Sequence, residues 1–311
     1  MPHRAAERAN RVLTIFTAPK PFTGHVGSIQ RNAISSWRNL GQGVHVLLCG
    51  DEAGMAEAAR EFEVEQVTPI ARSASGTPLL NDIFRAAHER SHTPLVCFVN
   101  ADIILTADFL DAARAVMSLA SPALLIGETV DVDVPAGLDV GAPQWEDQLA
   151  SKASLDGTTR GPLAMDYFLF TRGLFVDLPA FAVGRARFDN WLVWRALRQG
   201  AMVIDGSSGV FAVHQRHAYE HLPGGKREAY TGLEAKQNER IAGLWRYLHL
   251  YNRFDAPYEY SAGVVSRRAV RWAWLRQCWY RTRGLLEPYG GCPSLMERLG
   301  HRRARRRLTF D

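Results

Sequence analysis

The chain has 311 residues, a formal charge of +5 and a pI of about 9.2. Hydrophobic residues make up 47% and charged residues 22%, which suits one large globular domain or two small ones and excludes wholesale disorder. No apolar run reaches the length of a membrane span, and MPHRAAERANR at the start lacks the apolar core of a secretory signal, so a cytoplasmic location is expected.

The first strand is expected over residues 12–16, VLTIF. It ends in Thr17-Ala18-Pro19, and two prolines and two glycines keep the chain irregular through residue 27. A helix is expected over 28–40, with Ile29, Ala33, Ile34 and Trp37 on one face. A second strand over 44–49 ends at Gly50-Asp51-Glu52, and a short helix covers 55–62. A weaker third strand over 64–69 is followed by a polar segment carrying Arg72, and then by a helix over 78–89.

Residues 95–105, LVCFVNADIIL, read as a buried central strand with Asn100-Ala101-Asp102 at its C-terminal end. A helix over 107–119 and a strand over 123–126 continue the alternation, which argues for a parallel, doubly wound α/β sheet. Residues 130–162 read as a long functional loop with one short helix. Strands are expected over 164–171, 202–205 and 210–213, and helices over 188–199, 233–250 and 264–286. The expected units are 11–255, the α/β domain, and 256–311, a basic helical extension and tail. The cysteines at 49, 97, 278 and 292 form no CxxC pair, so neither a zinc site nor a disulfide framework is indicated.

The tips of the first four strands present Thr17-Ala18-Pro19, Asp51, Arg72 and Asn100-Ala101-Asp102. Parallel strands bring these to one sheet edge, where ligands of such sheets bind. Two oxygen side chains one residue apart suit a divalent cation; a turn with Asp102 as a local cap is the alternative. An aspartate at a strand tip suits a base edge or ribose hydroxyl, and Arg72 suits a phosphate. No GxGxxG or GxxxxGK[ST] is present.

Three later segments add candidates. Asp166 lies inside an apolar and aromatic run, where burial is costly without partners or a task. Asp189 stands at a helix start, as an N-cap or as a general base. His214, His217 and His221 follow a strand and resemble a ligand cluster; a surface loop is the alternative.

In order and spacing, FTAPKPF, VNADIIL, AMDYFLF, FDNWLVWRAL and VHQRHAYEHLPGG resemble the GT-A glycosyltransferases over about residues 11–245. Asn100-Ala101-Asp102 matches the DxD element of that superfamily, with Asn in place of the first Asp. Phe188-Asp189-Asn190-Trp191 matches the acidic helix-start motif of inverting members, and His214 the late histidine of the metal shell. The resemblance implies a Rossmann-like, mixed but mostly parallel sheet and a nucleotide-sugar donor. It implies that Thr17, Ala18, Pro19, Asp51, Arg72, Asn100 and Ala101 line the donor pocket. Asp102 and His214 would hold Mn²⁺ or Mg²⁺, Asp189 would be the base, and Asp166 would bind sugar hydroxyls or stand second in line as base. The acceptor would be a glycan, a lipid-linked molecule or a small molecule. A nucleotidyltransferase shares this logic, but its glycine-rich signature with a following lysine is missing. A non-catalytic nucleotide-sugar or glycan binder takes its support from Asn100.

Residues 264–286 place Trp272, Leu275, Trp279 and Leu286 on one stripe among arginines. That pattern suits either a peripheral contact with an anionic membrane or packing on the main domain. HRRARRR at 301–307 comes with no nucleic-acid-binding module, so no nucleic-acid partner is expected.

Overall fold

The computed structural model describes residues 12–217, 225–242, 251–269 and 275. The strands in chain order are β1 (Leu13–Thr17), β2 (Val44–Cys49), β3 (Glu65–Val67), β4 (Leu95–Val99), β5 (Ile103–Leu105), β6 (Ala123–Ile126), β7 (Val130–Val132), β8 (Thr158–Thr159), β9 (Tyr167–Thr171), β10 (Met202–Asp205), β11 (Ala212–Gln215), β12 (Tyr258–Ser261) and β13 (Val264–Arg267). The helices are α1 (Gly24–Asn39), α2 (Met55–Glu61), α3 (Leu80–Arg90), α4 (Ala107–Met117), α5 (Trp145–Asp156), α6 (Phe188–Arg198), α7 (Gly225–Thr231) and α8 (Leu233–Ile241).

The continuous apolar runs become strands covered on both faces. Every residue of β1 and β4 is buried, as parallel strands between two helix layers must be. The main sheet has the order β13-β12-β10-β6-β9-β4-β1-β2-β3. Pairing is parallel from β4 through β1 and β2 to β3, and again from β6 through β10 to β12. β9 runs antiparallel between β4 and β6, and β13 antiparallel at the edge. The α/β class and the mixed, mostly parallel sheet are therefore as expected.

Alternate residues of each strand feed two cores. Leu13, Ile15, Val46, Leu95, Cys97 and Val99 pack with Trp37 of α1, Met55 of α2 and Phe109 of α4. Phe16, Leu47, Val96, Phe98 and Phe168 pack on the other face with Phe84 of α3 and Trp191 of α6. The phenylalanines interlock there: Phe16 meets Phe84 edge-on at 4.9 Å, and Phe84 stacks on Phe170 at 5.6 Å. Cys49 and Cys97 are buried thiols, and burial pushes the Cys49 thiol up to about 12, so they serve as small hydrophobes.

Several boundaries differ from the sequence expectation. The 95–105 strand is two strands: β4 ends at Val99, a turn follows, and β5 joins a second sheet of order β5-β11-β7-β8. The presumed loop at 130–162 holds β7, β8 and the 12-residue α5, whose Trp145, Leu149 and Ala153 cover that second sheet. α1 begins at Gly24, four residues early, and Gly27 in its first turn packs against the preceding loop: a Cβ there would lie 2.6 Å from the Phe22 carbonyl carbon. Residues 264–267, expected as the start of a helix, form β13 and extend the main sheet past residue 255. Residues 270–274 and 276–286 of that expected helix, with its tryptophans, lie outside the described residues, as do 243–250 and His221. No helix among the described residues is long and apolar enough to cross a membrane.

Candidate functional site

Strand direction builds the site. β1 and β4 are parallel, so Thr17-Ala18-Pro19 and Asn100-Ala101-Asp102 leave the sheet at one edge. β9 is antiparallel to β4 with Val99 opposite Tyr167, so Asp166, just before β9, reaches the same edge. A cleft of about 430 Å³ opens there, in the size range of small-molecule sites. Thr17, Ala18, Pro19, Asn100, Ala101, Asp102, Asp166, Asp189 and His214 all line it.

Asp102 sits where the chain crosses from the main sheet to the second one. β5 pairs antiparallel with β11, placing Ile103 opposite His214. The Asp102 carbonyl accepts from the Gln215 backbone N–H at 3.2 Å and from Gln215 Nε2 at 3.1 Å. Gln215 is itself buried; its Nε2 also donates to the Ile29 carbonyl at 2.7 Å, and its Oε1 accepts from Asn32 at 2.9 Å. The turn is thus tied to α1 and β11 by saturated amides.

The Asp102 carboxylate meets two imidazoles. His217 Nε2 lies 2.9 Å from its Oδ2, and His214 Nε2 lies 3.8 Å from the same oxygen. One ligand atom from each of the three residues falls within 4.8 Å of the others. Asp102 Oδ1 is buried and has no hydrogen-bond partner among the described residues. Burial opposes the charge on Asp102, but His214, His217 and Lys20 outweigh it and hold the carboxyl well below the usual range. His214 Nδ1 lies 2.9 Å from Asp131 Oδ1. Burial again opposes the imidazolium, yet Asp102 and Asp131 lift the His214 pKa above the ordinary histidine value. The donor set, one carboxylate and two imidazoles with an orphaned carboxylate oxygen, fits a divalent transition cation.

Asp189 is neither exposed nor an N-cap. The residue before α6 is Arg187, held at φ 94, and it makes no side-chain cap. A non-glycine residue at that φ is strained, and such strain concentrates at functional positions. Phe188 anchors the helix start, with its ring 6.1 Å from Phe98 and 6.4 Å from Phe168. Burial is the main force on the Asp189 carboxyl and pushes it up to about 6, with the nearby charge of Asp166 adding to it. The Asn190 N–H, which donates to Oδ1 at 2.8 Å, and Arg187 pull the other way. A carboxyl poised near neutrality in a cleft is suited to proton abstraction.

Asp166 is a different kind of carboxylate. It is 5% exposed and accepts from Asn100 Nδ2 at 2.9 Å, Thr129 Oγ1 at 2.8 Å and Arg160 Nη1 at 2.9 Å. Three donors hold it in place, one on Oδ1 and two on Oδ2, at the wall of the cleft. Asn100 in turn has its amide N–H₂ committed to Asp166, which leaves its carbonyl oxygen as the only ligand atom.

Asp51 and Arg72 do not line the cleft. Arg72 closes on Asp51 at 2.5 Å and on Glu52 at 2.8 Å, so its charge is already neutralised. The sequence reading missed the cations that do line the cleft: Lys20, Arg160 and Arg185. Arg185 pairs with Glu234 of α8 at 2.9 Å. Lys20 has its backbone pinned to Gln30 by two hydrogen bonds, of 2.7 and 2.9 Å, while its ammonium has no hydrogen-bond partner among the described residues. Burial, opposed by Asp102 and reinforced by Arg185, lowers the Lys20 pKa. The only sequence hint was a lysine between two prolines at a strand tip.

No family model matches the chain, and no curated protein matches it in sequence. Solved structures overlap with it in three dimensions. Glucosyl-3-phosphoglycerate synthase from Mycobacterium tuberculosis, in complex with Mg²⁺ and UDP, superposes at a TM-score of 0.46 with 16% identity, covering 78% of this chain and 83% of that one. S. aureus TarS in complex with UDP-GlcNAc superposes at 0.44 with 13% identity, covering 66% and 59%. Overlap this slight carries no argument about function.

Proposed function

We propose that the protein is a glycosyltransferase that moves a sugar from a nucleoside-diphosphate donor to a hydroxyl acceptor. The observation that carries this reading is the pairing, in one cleft at the strand tips, of a cation-type cluster at Asp102 and His214 with a carboxyl at Asp189 poised to take a proton. The first suits a diphosphate and the second a hydroxyl nucleophile.

Each residue has a task in this scheme. Thr17, Ala18 and Pro19, with Asn100 and Ala101, form the wall against which the nucleoside lies. Asp102 and His214 hold the cation, Mn²⁺ or Mg²⁺, which when bound offsets the charge that grows on the departing diphosphate. Lys20, whose ammonium has no hydrogen-bond partner among the described residues and feels the Asp102 charge, adds a second positive charge to the same phosphates. Asp189 takes the proton from the acceptor hydroxyl as its oxygen bonds to the anomeric carbon. The bond from that carbon to the diphosphate oxygen breaks, and its electron pair leaves with the nucleoside diphosphate. Direct displacement of this kind inverts the anomeric carbon. Arg160, Asp166 and Thr129 act behind this layer by fixing Asn100.

The test is release of nucleoside diphosphate across a panel of UDP-, GDP- and dTDP-sugars with a divalent cation present. Release from one donor class, lost in Asp102→Ala, supports the proposal. Donor binding without any release would instead favour a non-catalytic nucleotide-sugar binder, the alternative suggested by the amide at position 100.

A further inference from the structure

Proton abstraction by Asp189 requires an acceptor hydroxyl, and the walls of the cleft near that carboxyl limit what can carry it. One wall is the segment that runs into Asp166, where Leu163 and Met165 line the cleft. The charge of Asp166 acts on Asp189, so this segment lies near the carboxyl. The other wall is the approach to α6, with Val183 and Ala186, joined by Ala229 and Tyr230 of α7. Asn238 of α8, 1% exposed, fixes that approach. Its Nδ2 donates to the Ala182 carbonyl at 3.0 Å and to the Ala186 carbonyl at 3.2 Å, and its Oδ1 accepts from the Ala182 N–H at 2.9 Å. The Ala186 N–H donates to the Ala229 carbonyl at 3.1 Å, which sets Tyr230 beside the chain three residues before Asp189.

Leu163 and Tyr230 are 38% and 44% exposed although they line a concave site. Large apolar side chains left in water inside a cleft mark where the apolar surface of a ligand is covered. The charged side chains of the same segments have protein partners. Arg185 pairs with Glu234 at 2.9 Å, and Glu234 also accepts from Ser73 Oγ at 2.6 Å and Thr77 Oγ1 at 2.8 Å. Arg160 pairs with Asp166 at 2.9 Å. Among the described residues, these walls therefore favour an apolar body over an anionic or polyhydroxylated one.

We infer that Leu163 and Tyr230 form an apolar acceptor subsite, and that the acceptor is an alcohol whose hydroxyl is carried on an alkyl or aryl body. This inference rests on the glycosyl-transfer reading; it does not depend on which sugar is moved. In the step, the alcohol oxygen bonds to the anomeric carbon and its proton passes to Asp189. The electron pair of the broken bond leaves with the nucleoside diphosphate. The apolar body lies on Leu163 and Tyr230 before and during the step alike, so its contribution appears in KM rather than in kcat.

The full chain, with its working donor and Mn²⁺, is assayed for nucleoside diphosphate release with ethanol, 1-butanol, 1-hexanol and benzyl alcohol. Glucose and glycerate serve as the polyhydroxylated and anionic probes. From ethanol to 1-hexanol, kcat/KM should rise by about two- to fourfold per methylene, through KM. Leu163→Ser and Tyr230→Ser should each lower the benzyl alcohol to ethanol ratio by about tenfold. Leu155→Ser, at an 83% exposed residue of α5 outside the cleft, should leave that ratio unchanged. A series flat in chain length, a preference for glucose or glycerate, or an unaltered ratio in either cleft variant overturns the subsite and leaves the glycosyl-transfer reading in place. Should no donor give release, that reading falls, and saturation transfer from the protein to benzyl alcohol decides the subsite alone. Transfer that falls in both cleft variants and not in Leu155→Ser supports it; any other pattern overturns it.

Discussion

The Asn100 side chain donates to Asp166 Oδ1 across 2.9 Å, and the Asn100 backbone N–H donates to the Asp166 carbonyl at the same distance. This double link joins the end of a parallel strand to the start of an antiparallel one and fixes the turn that carries Asp102. Removing the carboxylate takes an acceptor from one buried donor, Thr129, and two half-buried ones, Asn100 and Arg160. Asp166→Ala is therefore expected to cost about 3 kcal/mol of stability in urea unfolding, because Asn100 and Thr129 lose this acceptor and Arg160 loses its nearer carboxylate, keeping Asp131 at 3.6 Å. A catalytic base would lose turnover with its stability intact. A stable but inactive variant would contradict the structural role.

Asp189 should behave in the opposite way. Asp189→Asn is expected to lower turnover by about two to four orders of magnitude with little change in donor affinity. Its effect on stability has a definite sign. The folded-state pKa, about 6, lies above the ordinary aspartate value, so the native state favours the neutral form. That stabilisation is complete below the unfolded pKa and is lost as pH rises through about 6. An uncharged asparagine should thus raise stability relative to wild type by about 1–2 kcal/mol at pH 8, and the gain should vanish near pH 4. Thermal melts at the two pH values measure it.

The same shift sets the acid limb of the activity. Transfer requires the charged carboxylate, so kcat should fall by about tenfold per unit below pH 6 and level off above it. A limb near pH 4 in the rate profile would place the essential base elsewhere.

The two cations near the strand tips predict contrasting outcomes. Arg72 is already paired with Asp51 and Glu52 at a partly exposed site, so Arg72→Ala should change donor affinity by less than about threefold. Lys20→Ala removes from the cleft an ammonium that no described residue hydrogen-bonds, and should weaken the donor by about tenfold or more. Calorimetric titration with nucleoside diphosphate and Mn²⁺ compares them.

Much of the framework was readable from the sequence, because predominantly apolar runs such as LTIF and LVCFV mark strands covered on both faces. Strand direction was not readable. Nothing local in YFLFT tells a parallel neighbour from an antiparallel one, yet the reversal of β9 is what carries Asp166 to the cleft. The change of sheet after Val99 was hidden for a similar reason: the pattern of buried residues on either side of Asp102 is the same in both sheets. α5 did leave a signal, Trp145, Leu149 and Ala153 at four-residue spacing, diluted by the glycines and prolines before it. Arg72 shows the limit of reading charges singly. Its partners, Asp51 and Glu52, lie twenty residues away in sequence and meet it only once β2 and β3 pair.

The most direct measurement of the account is nucleoside diphosphate release from the sugar-donor panel by wild type, Asp189→Asn and Asp102→Ala in the presence of Mn²⁺. The account predicts release from at least one donor class by wild type, and a fall of about a hundredfold or more in each variant. Release that persists unchanged in both variants, or none from any donor that binds, would contradict it.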